Sequence, residues 1–392
     1  MVDQFSLYIH IPFCQKRCYY CDFNTLAGND GKIEPYVKAL KQEIEVLARN
    51  LNIQIPVHSI YFGGGTPSHV SEHYISELMD VIRENYDVMD ESEITIEANP
   101  GTLTEEKLTA YLYCGINRLS LGVQSTNNTE LEQLGRIHSY EDVLKNIDAA
   151  RKVGFENISV DLMFGLPGQT MQSWMDSLQK TSALSVEHLS IYSLTIEEGT
   201  PFRTWVNQGK MAVPDDDFMA DQFTYAQEWL SVNGYHQYEI SNWRRKDAHT
   251  DYRSRHNCQY WLNEPYIGFG LAAHSCFNKQ RIANTPIMDQ YIDAHLNHRV
   301  GKIAGLPASI TCDVVDKEHE MKETMMLGLR LLEEGVSKTR FIERFDESME
   351  DVFSSEINEL IKLGLVIWID DERLILSERG VLLGNQAFMR FV

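Results

Sequence analysis

The 392-residue chain is short of positive charge: 35 lysines and arginines stand against 57 aspartates and glutamates, a formal net charge of −22. That balance excludes the basic footprint of a DNA or RNA binder and disfavours adsorption to an anionic membrane surface. Long apolar runs are missing as well. No stretch is long enough to span a bilayer, and no basic segment followed by an apolar run stands near Met1. An integral membrane protein is therefore not expected. The seven cysteines are an odd number, which suits a disulfide framework poorly. Without a leader they point to a reducing compartment, the cytoplasm, and to thiols used for metal. No Gly-x-Gly-x-x-Gly follows the first strand-like run, which argues against a dinucleotide-binding sheet. Internal repeats and low-complexity tracts are also absent. What is left is an ordinary globular composition, 43% hydrophobic and 23% charged. At this length one large domain with one or two smaller ones is expected.

From Phe5 to about Thr200 strand-like runs alternate with amphipathic helices, the pattern of a parallel sheet with covering helices. The runs are Phe5–Ile11, Ser59–Phe62, Glu93–Asn99, Arg118–Gln124, Asn157–Phe164 and His188–Leu194. Val37, Leu40, Ile44, Leu47 and Leu51 recur at helical spacing. Ser139 and Asp142 form a capping box whose helix stops at Gly154. Each strand has an apolar face, as in Phe5/Leu7/Ile9 and Ile158/Val160/Leu162, and a polar one, as in Thr95/Glu97 and Ser159/Asp161. Apolar faces meet the helices, so the polar faces line the lumen. A closed eight-stranded barrel fills its lumen with apolar side chains. A polar lumen calls for a partial barrel of about six β/α units holding a polar ligand.

The chemistry starts at the end of the first strand. Cys14, Cys18 and Cys21 form a C-x3-C-x2-C array. Three thiolates fall one short of a closed structural zinc site, but they can hold three irons of a 4Fe–4S cluster. The fourth iron is then open to the amino and carboxylate groups of S-adenosylmethionine. A zinc site completed by a distant side chain is the alternative on spacing alone. The second strand runs into Gly63-Gly64-Gly65-Thr66-Pro67, where backbone amides can approach a ligand closely.

The C-x3-C-x2-C array, preceded by Tyr8-Ile9-His10-Ile11-Pro12-Phe13, resembles the radical S-adenosylmethionine superfamily. Within it the chain resembles the anaerobic coproporphyrinogen III oxidases and their relatives, the heme chaperones of the HemW type, over nearly its whole length. The resemblance implies S-adenosylmethionine contacts at Tyr8, Gly64, Gly65, Thr66, Glu97, Gln124, Arg136 and Asp161. It also implies a one-electron reductant as a partner, and a protein able to cleave the cofactor.

Beyond Thr200 the pattern changes, and the expected division is 1–200 for the partial barrel, 201–309 for an α+β extension and 310–392 for a winged-helix-like unit. Glu197-Glu198-Gly199-Thr200-Pro201 reads as a loop leading to a helix near Trp205, and Pro214 with Asp215–Asp217 opens another helix that ends at Asn233-Gly234. Tyr235–Trp243 reads as a strand, and Asp247–Ser254 as a polar loop. His256-Asn257-Cys258-Gln259-Tyr260-Trp261 resembles a heme-associated motif of the chaperone branch. It makes His256 a candidate axial ligand, with Tyr260 or Trp261 packing on a porphyrin and Cys258 a rival ligand. In Gly268-Phe269-Gly270-Leu271-Ala272-Ala273-His274, Ala272 stands where the family has glycine. In the last unit a helix is expected over Met321–Leu332, another over Ser354–Leu363, and then a hairpin around Asp370–Glu372. Its 10 basic and 17 acidic residues over Asp316–Val392 disfavour DNA.

Two functions follow, with a structural zinc-binding protein, which would keep Cys14, Cys18 and Cys21 but needs no lumen carboxylates, as a third alternative. One is a carrier that binds heme and hands it to apo-hemoproteins, membrane-bound ones among them. The other is oxidative decarboxylation of coproporphyrinogen III to protoporphyrinogen. In the oxidases the third cysteine is followed by x-Cys, whereas Phe23 stands there in this chain. The oxidases also carry a longer segment before the first strand. Both features, with His256–Trp261, favour the carrier and make coproporphyrinogen turnover doubtful.

Overall fold

The structure of the protein, a computed structural model, describes residues 4–51, 55–213, 215–247, 249–297 and 306–392. Pro214 and Ala248, within the expected helix start and the expected polar loop, lie outside them. Six strands form the framework: β1 Phe5–Ile11, β2 Val57–Gly64, β3 Val88–Ala98, β4 Arg118–Gln124, β5 Asn157–Phe164 and β6 His188–Ser193. They pair in parallel in chain order. Helices α1 Ile33–Leu51, α2 Glu72–Asn85, α3 Glu105–Tyr113, α4 Asn128–Leu134, α5 Tyr140–Val153 and α6 Met171–Ala183 supply the crossovers.

Side-chain parity explains the two sides of this sheet. Phe5, Leu7 and Ile9 are fully buried in one continuous core with Tyr36, Leu40 and Ile44 of α1. Ile158, Val160 and Leu162 of β5 do the same with Trp174 and Leu178 of α6. Each such side chain contributes roughly 1.5–3 kcal/mol on leaving water. Local signals set the helix ends: Ser139 and Asp142 form the expected capping box and Gly154 closes α5 in the left-handed region at φ 111°.

The sheet extends past the six strands at both edges. Beyond α7 Pro201–Asn207 and α8 Asp216–Val232, β7 Tyr235–Glu239 and β8 Asn242–Arg245 form a hairpin, and β8 pairs antiparallel with β6. The single strand expected over Tyr235–Trp243 is thus two strands with a turn at Ile240-Ser241. After α9 Arg255–Trp261, β9 Tyr266–Phe269 joins β1 in parallel. It is followed antiparallel by β10 His274–Phe277, β11 Gln280–Asn284 and β12 Ser309–Val314. The result is a twelve-stranded open sheet in the order β12-β11-β10-β9-β1-β2-β3-β4-β5-β6-β8-β7, a partial β/α barrel rather than a closed one.

The C-terminal unit has its own core, around Met325, Phe341, Phe345, Phe353 and Leu360. Its first helix runs Lys317–Gly328, capped by Asp316, so it starts earlier and ends a turn sooner than the pattern suggested. β13 Val336–Ser337, β14 Val366–Ile369 and β15 Arg373–Leu376 form a three-stranded antiparallel sheet with β15 central. This unit docks beside α9, where the Arg330 guanidinium lies 4.3 Å from the Trp261 ring centroid. No helix among the described residues is long and apolar enough to cross a membrane.

Candidate functional site: the polar lumen and its cysteine mouth

Register organises the lumen into rows. Tyr8, Tyr61, Thr95, Arg118 and Asn157 are successive partners across β1 to β5. Glu97, Ser120, Ser159 and His188 form the next row up, and Gly122, Asp161 and Ser190 the one above. A cavity of about 480 Å³ runs up these rows to Cys14, Cys18 and Cys21 at its mouth. That volume is in the range of small-molecule sites.

Backbone hydrogen bonds hold the cysteine loop to the strand ends. Gly65 N–H donates to the Ile11 carbonyl (2.9 Å), Thr66 N–H to that of Phe13 (2.9 Å) and Leu26 N–H to that of Pro12 (2.7 Å). The glycines are required by this closeness. A Cβ on Gly65 would sit 2.8 Å from the Pro12 carbonyl, and one on Gly64, at φ 114°, 2.6 Å from the His10 ring. His10 bridges Tyr8 OH (3.0 Å) and the Asn24 carbonyl (3.0 Å), tying β1 to the end of the cysteine loop. Burial holds its imidazole below the usual range.

The three thiols fit an iron–sulfur cluster. All three line one cavity, and burial pushes the Cys14 and Cys21 thiols up, a tendency that bound iron reverses by taking thiolates. The Arg136 guanidinium lies 3.5 Å from Cys18 Sγ and donates to Asn99 Oδ1 at 2.6 Å. Among the described residues no three His, Cys, Asp or Glu side chains converge to hold a single metal ion. Cys114, Cys258, Cys276 and Cys312 are not among the residues lining the cavity.

Seven of the eight candidate cofactor contacts line this same cavity: Gly64, Gly65, Thr66, Glu97, Gln124, Arg136 and Asp161. Glu97 accepts from Tyr61 OH (2.8 Å) and Gly64 N–H (3.1 Å). Desolvation raises its carboxyl. Desolvation and then the neighbouring Glu97 push Asp161 up to about 7. Two carboxyls held above their usual range in one cavity are poised to ionise when a cation arrives. Gln124 accepts from Tyr192 OH (2.8 Å) and is strained, with φ 69° in a non-glycine residue. Tyr8 stands apart, in the row behind, with its ring 6.3 Å from that of Tyr61.

The structure puts the motif His256–Trp261 at the opposite end of the barrel from the cysteines. α9 plugs the N-terminal ends of the strands. Its first amides, Arg255 and His256 N–H, donate to Glu93 at 3.1 Å each, which suits a carboxylate at a helix start. His256 is buried, with Nδ1 3.1 Å from Ser59 Oγ and Nε2 3.1 Å from Tyr260 OH. Desolvation first, then His58 and Arg118, take its imidazole down to about 3, so it is neutral. Tyr260 packs edge-on to Tyr266 (4.6 Å), and Trp261 lines a separate groove with Cys276 and Phe341. Burial pushes the Cys258 thiol far up. The second motif is structural. Gly270 N–H donates to the buried Glu43 (2.7 Å) and Leu271 N–H to Tyr36 OH (3.0 Å), which itself donates to the His10 carbonyl (2.7 Å). Ala272 sits at φ 55°, a conformation in which glycine is unstrained.

Sequence reasoning missed several lumen residues, among them Tyr61, Arg118, His188 and Asn242, all lining the cavity. The signal existed for three of them. Tyr61 lies between Ile60 and Phe62, and Arg118 and His188 stand two before the lumen residues Ser120 and Ser190.

A partial β/α barrel with a three-cysteine mouth and a carboxylate-lined lumen is the architecture of a radical S-adenosylmethionine protein. The radical SAM superfamily model matches residues 8–181, and the HemN C-terminal domain model residues 315–383. Over the whole chain, a heme chaperone HemW from Bacillus subtilis (strain 168) is 39% identical, covering 99% of both chains. The heme chaperone HemW of Escherichia coli (strain K12) is 33% identical, covering 99% of this chain and 98% of the relative. Among solved structures, the coproporphyrinogen III oxidase HemN from Escherichia coli, a radical SAM enzyme, superposes with a TM-score of 0.83 at 25% identity. That match covers 100% of this chain and 90% of the other. The chain belongs to the HemW family of the radical S-adenosylmethionine superfamily.

Proposed function

We propose that this protein is a cytoplasmic heme carrier that binds heme and delivers it to apo-hemoproteins, built on a scaffold that holds a 4Fe–4S cluster and S-adenosylmethionine. The observation that carries the reading is end-to-end similarity to proteins named heme chaperone, at 39% identity, against 25% to the oxidase of the same fold. Phe23, 65% exposed at the lip of the cavity where the oxidases have cysteine, supports it. The cluster, when reduced, supplies an electron for cleaving S-adenosylmethionine. Around it, Cys14, Cys18 and Cys21 hold the iron, Arg136 is placed for a carboxylate, and Glu97 and Asp161 for the cofactor's ammonium or ribose hydroxyls. An external one-electron donor reaches the cluster at the open mouth.

The heme site we assign to the α9 segment, with His256 as ligand and Tyr260 or Trp261 against the porphyrin. Support comes from the motif resemblance and from the neutral imidazole, the form that ligates iron. Ligation requires His256 to exchange its bond to Ser59 or Tyr260 for iron, so α9 moves when heme binds. Heme titration of wild type, His256→Ala and Trp261→Ala tests this. The first variant should lose most heme and the second less, since a stacked ring contributes about 0.5–1.5 kcal/mol. Unchanged heme affinity in His256→Ala removes the assignment. The intact cofactor lumen, shared with the fold of HemN, keeps coproporphyrinogen III oxidation as the second reading.

A further inference from the structure

Arg118 is not explained by either function. It is the first residue of β4, and its side chain is among the largest fully buried ones in the protein at 2% exposure. Its guanidinium makes no hydrogen bond and no ion pair with any described residue, and Nε is orphaned. Guanidinium is always charged and carries five N–H donors. Nε alone of its nitrogens is sealed from the cavity without a partner, and the rest of the side chain lines the cavity with no protein acceptor among the described residues. Its immediate partners along the row share the defect: Thr95 Oγ1 on one side and Asn157 Oδ1 on the other are buried without a partner. Asn242 Oδ1, nearby on the cavity wall, is a fourth orphan.

The lumen carboxylates do not satisfy Arg118. Glu97 and Asp161 feel its charge, but neither comes within 4.0 Å of it as an ion pair. Water alone would fill the acceptors and leave the positive charge uncompensated. Nor does the cofactor's own carboxylate suit. Arg136, the guanidinium beside Cys18, is held by the Gly122 carbonyl, and the four-residue span from Arg118 to Gly122 is about 13 Å at ~3.3 Å per residue.

We propose that the lumen floor is a carboxylate subsite, in which Arg118, whose side chain lines the cavity, takes the two oxygens of a carboxylate. Planar fork-to-carboxylate pairing is the geometry a guanidinium favours. His188 is unavailable as a donor to it, because Nδ1 is engaged by Ser159 Oγ (2.8 Å) and Nε2 by Tyr238 OH (2.8 Å). The subsite selects for charge. It takes either the propionate arm of a tetrapyrrole entering through the mouth or a small free carboxylic acid. The inference does not rest on the heme reading.

The test is calorimetric titration of sodium propionate into the cluster-loaded protein with S-adenosylmethionine bound. The isosteric neutral propionamide serves as the control. Propionate should bind saturably and propionamide should not. Arg118→Gln should weaken propionate at least about tenfold, and Arg118→Lys, which keeps the charge without the fork, should fall between. Near-UV circular dichroism reports folding of each variant. Should Arg118→Gln not fold, the propionate–propionamide contrast and Arg118→Lys still decide. A repeat titration with heme-loaded protein separates the sources: competition assigns the carboxylate to the tetrapyrrole, and independence to a free acid, both sustaining the subsite. Equal behaviour of propionate and propionamide, or of wild type and Arg118→Gln, would overturn it.

Discussion

His256 lies almost flat against Tyr61, with ring centroids 5.0 Å apart and planes at 25°, and the Tyr61 hydroxyl donates to Glu97 at 2.8 Å. The proposed heme ligand is thus two contacts from a carboxylate of the cofactor cavity. One imidazole cannot support Tyr61 from its bonds to Ser59 and Tyr260 and also move to iron. Heme and S-adenosylmethionine should therefore weaken each other's binding by equal factors. Cofactor affinity measured with and without bound heme should differ severalfold, and Tyr61→Phe should shrink that difference. Identical affinities would remove His256 as the point of contact.

Asp161 gives the protein a pH signature. Its carboxyl is held at about 7 in the folded state against an ordinary 3.8, so the folded form binds its proton more tightly than the unfolded one. That contribution to stability is full below the ordinary value, declines as pH rises to about 7, and is level above it. Asp161→Asn should flatten the decline in apoprotein denaturation curves. Cofactor binding should release a proton near neutral pH, because a cation favours the carboxylate over the acid. Calorimetry in buffers of different ionisation enthalpy reads this directly, and Asp161→Asn should release less.

Gly64→Ala should be severe for its size. Left-handed backbone and a Cβ 2.6 Å from the His10 ring together should cost roughly 1–3 kcal/mol. Displacing His10 also frees the Asn24 carbonyl it holds, so cluster loading on anaerobic reconstitution should fall with stability. Gly168→Ala, at φ 73° but with open space around it, should lower stability without affecting loading. Equal loading in Gly64→Ala and wild type would disconnect His10 from the cysteine loop.

Much of this was legible in the sequence where local rules govern. The strands Phe5–Ile11, Arg118–Gln124 and Asn157–Phe164 follow from alternation alone, and Ser139 and Gly154 from capping chemistry. That Gly64, Gly65, Thr66, Glu97, Gln124, Arg136 and Asp161 share one cavity followed from motifs at strand ends. α9 was not legible as a plug, because what fixes it is Glu93, some 163 residues away, and nothing periodic in seven residues announces that partner. The β7–β8 turn was missed because Ile240-Ser241 carries no glycine, proline or asparagine. Arg118 was in view but read as a strand boundary. Its meaning lies in the partners it lacks.

The central claim is tested most directly by presenting the anaerobic, cluster-loaded protein with S-adenosylmethionine, a reductant and coproporphyrinogen III, and in parallel loading it with heme and adding an apo-hemoprotein. The account predicts heme transfer, abolished in His256→Ala, with no catalytic formation of protoporphyrinogen. Multiple turnovers to protoporphyrinogen, with heme binding indifferent to His256→Ala, would contradict it.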